Sequence, residues 1–172
     1  AIVVAAALIN ALKVVKKNIP DVRVVINGAG SAGIAIGRHL LNLGLKHLIM
    51  VDRFGTLSRD DESLNPAHME MAQITNEECL RGSLADAMRG ADVFIGVSAP
   101  NIVSKEMVAS MAKGTLVFHM ANQTPEIMSD LALEAGAAAV GTLPSDFPHH
   151  NKHQIAFPGT LIVALERHYK ST

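Results

Sequence analysis

The chain has 172 residues, 49% of them hydrophobic and 18% charged, with a formal net charge of −1, which suits one globular domain with a substantial core. That charge leaves no electrostatic footprint for nucleic acid, and 3% aromatic residues with no Trp leave no stacking platform for single strands. A single cysteine, Cys79, forms no internal disulfide and no ligand set; it points to a reducing, cytoplasmic setting and to a small buried or half-buried apolar side chain.

Ala1 to about Lys17 reads as a helix rich in Ala and Leu, whose Lys13, Lys16 and Lys17 suit the negative end of its dipole before Asn18 and Pro20 stop it. Asn10 and Lys13 interrupt the apolar run well short of the roughly 20 residues a membrane span needs. No cationic region precedes the run and no cleavage site follows it, so it is neither anchor nor signal. The chain lacks an initiator Met and opens inside a helix, and is expected to be part of a longer protein.

The next stretch organises the rest. A β-branched run, Val24, Val25 and Ile26, passes through Asn27 into Gly28, Ala29, Gly30, Ser31, Ala32 and Gly33, and then into the helical Ile34 to Leu41. Strand, glycine loop and helix in this order form a phosphate-binding unit. Gly28 makes the tight turn, Gly30 lets backbone approach a pyrophosphate, and Gly33 lets the helix lie against its strand. The N–H groups of the loop and the positive helix end hold the phosphates. After a helix end at Asn42, Leu43 and Gly44, a second strand, His47 to Val51, delivers Asp52 at the spacing of an acid that hydrogen-bonds an adenosine ribose. The reading is dinucleotide binding. Asp52 repels a 2′-phosphate and favours NAD over NADP, although Arg53 offsets this if it turns inward.

Arg53, Phe54 and Gly55 open a loop that runs through Arg59, Asp60, Asp61 and Glu62, read as solvated rather than as a cation site. Asn65 caps a helix with Pro66 at its first position, in which Met69 and Met71 are packing residues. Ser83 caps Leu84 to Met88, Gly90 ends that helix, and a strand follows from Ala91 to Val97. At its carboxyl end Ser98, Ala99 and Pro100 let the chain pass close to a ribose or nicotinamide. A helix from Ser104 through Met111 precedes the strand Thr115 to Met120. Asn122 then faces the mouth of the sheet, and Thr124 and Pro125 start another helix that ends near Gly136. Ala138 to Gly141 is a last short strand, and a closing helix follows Gly159. The alternation predicts an α/β fold, a doubly wound parallel sheet of the Rossmann type, as a single domain over residues 1–172.

These residues resemble the C-terminal, cofactor-binding domain of malic enzymes of the compact bacterial and archaeal type. The resemblance runs from the opening helix through the glycine loop, Val51-Asp52-Arg53, Asn65-Pro66, Gly82 to Ala87, Ala91 to Pro100, Met120-Ala121-Asn122, Thr124 to Ile127, Ser145 to Pro148, and Ala156 to Gly159. It implies oxidative decarboxylation of malate to pyruvate and carbon dioxide with reduction of NAD or NADP, assisted by Mg²⁺ or Mn²⁺, in a homo-oligomer. By resemblance, the lysine base, the tyrosine acid and the metal carboxylates lie N-terminal to this stretch, so no catalytic or metal residue is assigned here, and Tyr169 is structural. Carried over are the glycine-loop residues and Asp52 for cofactor, and Asn122 for cofactor or malate. Gln123 stands where the family usually has proline, and Lys152 and His153 stand where it has a second asparagine pair. His149, His150 and His153 are read as solvated rather than as a metal site. Two alternatives stay open: a malolactic enzyme, which yields lactate, and a non-catalytic dinucleotide-binding module.

Overall fold

The computed structural model describes residues 1–120 and 125–142. Helix α1, Ile2–Val15, buries Val4, Leu8, Ala11 and Leu12 along one stripe and ends at Lys16, whose left-handed backbone (φ 56°) caps it by donating to the carbonyls of Leu12 and Lys13. Lys17 then reaches across to the Asp92 carboxylate at 2.6 Å, and Asp92 also accepts the Arg23 backbone N–H at 2.8 Å. One carboxylate thus ties the end of α1 and the start of β1 to the start of β4.

Strands β1 (Arg23–Asn27), β2 (His47–Asp52), β4 (Val93–Gly96), β5 (Leu116–His119) and β6 (Ala139–Thr142) run parallel, and a short β3 (Gly55–Thr56) pairs antiparallel with the end of β2. Their order is β3-β2-β1-β4-β5-β6. Alternate residues along each strand face opposite layers. Val24, Ile26, Leu48, Met50, Val93, Ile95, Leu116 and Phe118 pack with α1, with α2 (Ser31–Asn42) and with α3 (Pro66–Ile74). Val25, Val51, Phe94, Val117 and Val140 pack with α4 (Leu84–Met88), α5 (Lys105–Ala109) and α6 (Ser129–Glu134). Two apolar faces on one parallel sheet explain why its strands read as continuous apolar runs.

The caps read from the sequence form. Asn65 accepts the His68 backbone N–H at 2.9 Å, and Ser83 and Asp86 make a reciprocal capping box whose hydrogen bonds lower the Asp86 pKa. Met71 is fully buried, with its methyl against Gly37. Cys79 is half-buried in a left-handed turn.

Three expectations need correction. Gly55 and Thr56, read as loop, form the antiparallel edge strand, with the Thr56 N–H donating to the Gly82 carbonyl at 3.0 Å. The helix expected to start at Thr124 and Pro125 starts at Ser129, with Met128 as N-cap and no side-chain cap bond. Pro125 and Glu126 are drawn instead onto the chain between β4 and α5, where their carbonyls accept the N–H groups of Asn101 and Val103. Helix α5 stops at Ala109, short of Met111. The readings at Asn122, Gln123, Ser145 to Pro148, Lys152, the loop histidines, Tyr169 and the closing helix lie outside the described residues.

Candidate functional site

The strand order reverses between β1 and β4, and there the chain leaving β1 turns away from the chain leaving β4. Gly28 occupies φ 115°, a conformation that a residue with a side chain adopts only under strain, and its N–H donates to the Val51 carbonyl at 2.8 Å. A Cβ on Gly28 would lie 2.9 Å from the Val97 carbonyl oxygen, and one on Gly33 would lie 1.8 Å from the Gly28 carbonyl oxygen. Gly30 differs: a Cβ there meets nothing within 4 Å. It is the N-cap of α2 and supplies no side-chain cap, so the first-turn N–H groups of Ser31, Ala32 and Gly33 stay available at the positive end of the helix. Ser31 and Ala32 are exposed, and Gly33 is buried against the strand.

Asp52 stands at the end of β2, on the far side of the same cleft. Its Oδ1 accepts the Phe54 backbone N–H at 2.7 Å, which fixes the carboxylate toward the opening. Its Oδ2 lies 3.6 Å from Nδ1 of His68, whose Nε2 stands 2.9 Å from the Ala29 carbonyl oxygen. A carbonyl only accepts, so Nε2 donates. His68 therefore stands between the Ala29 carbonyl and the Asp52 carboxylate, a placement that sequence reading missed. The available signal was the Asn65-Pro66 cap, which sets the helical phase and turns position 68 toward the loop.

A cleft of about 880 Å³ opens between these groups, lined by Gly28, Gly30, Asp52, Phe54, His68 and Ser98 among others. Arg53 is exposed, lines the same cleft and lies over the Phe54 ring at 4.6 Å. Asp61, read as part of a solvated loop, also lines this cleft; the Ser63 hydroxyl and backbone N–H hold its pKa down. Ser98 and Ala99 are exposed beyond β4, and the Ser98 N–H donates to Oε1 of the fully buried Glu126 at 3.0 Å. His119 of β5, opposite Gly96 of β4 in the register, has its pKa lowered by burial to about 4. Among the described residues no group of three or more His, Cys, Asp or Glu side chains is placed to hold a metal ion.

Space at Gly30, uncapped helix N–H groups and a fixed carboxylate at the end of β2 fit the pyrophosphate and ribose of a dinucleotide. Fold and cleft together define a Rossmann-type α/β domain. Comparison with known proteins narrows this: the family model described as "Malic enzyme, NAD binding domain" matches residues 1–132, and the chain belongs to that family. It is 46% identical over 166 residues to an NAD-dependent malic enzyme of Geobacillus stearothermophilus, covering 96% of this chain and 34% of the relative. It is also 46% identical over 167 residues to a bifunctional malic/malolactic enzyme of Bacillus subtilis, covering 96% of this chain and 41% of the relative. Among solved structures, the NAD-dependent malic enzyme of Thermotoga maritima superposes with a TM-score of 0.81 at 49% identity, over 85% of this chain and 39% of that one. The chain thus spans well under half the length of the relatives that it matches.

Proposed function

We propose that this chain is the cofactor-binding domain of an enzyme that oxidatively decarboxylates malate to pyruvate and carbon dioxide, with NAD as the cofactor. The observation that carries the reading is the uncapped glycine turn of α2 facing Asp52 across one cleft. Bound NAD supplies the hydride acceptor. The backbone of Gly28, Ala29 and Gly30 and the first turn of α2, Ser31 to Gly33, hold the pyrophosphate, and Asp52 accepts from the ribose hydroxyls. Its charge, with Arg53 engaged on Phe54, favours NAD over NADP. Ser98 and Ala99 border the nicotinamide half, and Asn122 contacts cofactor or malate. The general base, the general acid and a Mg²⁺ or Mn²⁺ site are assigned to parts of the enzyme that this chain does not include, in a cytoplasmic homo-oligomer. No described helix is long and apolar enough to cross a membrane.

Calorimetric titration of the chain with NAD, and a malate-dependent assay of the whole enzyme, test this reading. Saturable NAD binding with pyruvate and NADH as products is expected. Failure of the chain to bind NAD overturns it. The Bacillus subtilis relative, bifunctional by name, supports a second reading as a malolactic enzyme. Lactate formed without net NADH decides for that one.

A further inference from the structure

A fully buried carboxylate sits on the β4 side of the cleft. Glu126 is 0% exposed, and burial of such a group is unfavourable unless its oxygens are bound. Gly96, the last residue of β4, makes the room: a Cβ there would lie 2.4 Å from the Glu126 carboxyl carbon and 2.6 Å from Oε1. The sheet register places Gly96 between Asn27 of β1 and His119 of β5, in the row where the strands end and the cleft begins.

From this position Glu126 holds the chain that leaves β4. Its Oε1 accepts the Ser98 N–H at 3.0 Å, its carbonyl accepts the Val103 N–H at 3.1 Å, and the neighbouring Pro125 carbonyl accepts the Asn101 N–H at 3.1 Å. Two of these bonds are backbone to backbone. The third, from Ser98, goes to the carboxylate, and Ser98 lines the cleft. A dinucleotide laid across a switch point has its adenosine half over β1 and β2, where Asp52 stands, and its nicotinamide half over β4 and β5. Through Ser98, Glu126 meets the second half.

We infer that Glu126 is a positioning residue for the nicotinamide half of the cofactor, acting through the Ser98 backbone; this rests on the cofactor reading above. A carboxylate accepting a backbone N–H from beneath fixes the height of the loop on which that half rests, and Gly96 is the residue that admits the arm. Reach is what the variants separate. Glu126→Asp keeps the carboxyl group and shortens the arm by one methylene, whereas Glu126→Gln keeps the length and an acceptor oxygen.

Both variants and the unaltered chain are titrated calorimetrically with NAD and, separately, with AMP, which carries the adenosine half only. For Glu126→Asp, NAD affinity is expected to fall about tenfold while AMP affinity changes less than about twofold; Glu126→Gln is expected to retain most of the NAD affinity. Equal losses for NAD and AMP in Glu126→Asp overturn the inference, because a merely structural residue weakens both halves alike. So does unchanged NAD affinity in that variant. If the unaltered chain binds neither probe, the cofactor reading itself fails and takes this inference with it.

Discussion

Gly33 and Gly28 touch: a methyl group on the first would sit 1.8 Å from the carbonyl oxygen of the second, closer than any packing adjustment absorbs. That contact holds α2 against the turn and aims its first N–H groups at the cleft. Gly33→Ala is therefore expected to displace the loop, lower stability by about 1–3 kcal/mol and abolish NAD binding. Gly30→Ala separates the two effects. Its methyl enters open space at an ordinary backbone angle, φ −77°, so stability should stay within about 0.5 kcal/mol. NAD affinity should still fall if the proposed pyrophosphate site is there, because the methyl would occupy that space. Thermal melts beside NAD titrations check both, and undiminished NAD binding by Gly30→Ala would remove the pyrophosphate from this loop.

Asp52 is fixed by the Phe54 N–H and faces the cleft from β2. Asp52→Ala should weaken NAD about tenfold, the scale of one charge-assisted hydrogen-bonding group. It should also relax the exclusion of NADP by removing the charge that repels a 2′-phosphate. Parallel titrations with the two cofactors measure this, and unchanged affinity for both would sink the ribose assignment.

The two halves of this site differ in how far the sequence reveals them. Gly28 and Gly33 are legible because each answers a local steric demand, Gly30 because it falls between them in the same spaced motif, and Asp52 because an apolar strand delivers it. The caps at Asn65, Ser83 and Ser104 are likewise local chemistry. The edge strand Gly55–Thr56 is too short to show any period. Thr124 and Pro125 carry a sound helix-start signal, yet α6 begins at Ser129, since Glu126 is held beneath Ser98 by contacts 28 residues away in sequence. His68 escapes for the same reason. Its partner Ala29 lies 39 residues earlier, and no periodicity encodes that pairing.

His68→Ala deprives the Ala29 carbonyl of its donor and leaves the glycine loop less firmly held. Stability should drop by about 1 kcal/mol and NAD affinity by severalfold. His68→Gln, which restores a donor of similar reach, should recover part of both. If the Ala and Gln variants match the parent in NAD titration, the bridge from α3 to the loop contributes nothing to cofactor binding.

His119 makes the stability of the fold depend on pH. It is 0% exposed in β5, with Nε2 3.2 Å from the Ser129 hydroxyl, and burial lowers its pKa from 6.5 to about 4. The folded chain therefore keeps this imidazole neutral at pH values where the unfolded chain has already protonated it. Between about pH 6.5 and about pH 4 the unfolded state binds more protons, so stability falls as the pH falls through that window and is fully present above it. Acidification through the whole window costs about 3 kcal/mol. Urea unfolding followed across this window should show midpoints moving to lower denaturant on acidification. His119→Gln, which does not titrate, should flatten that slope; an equally steep decline in the variant would assign the acid sensitivity to other groups.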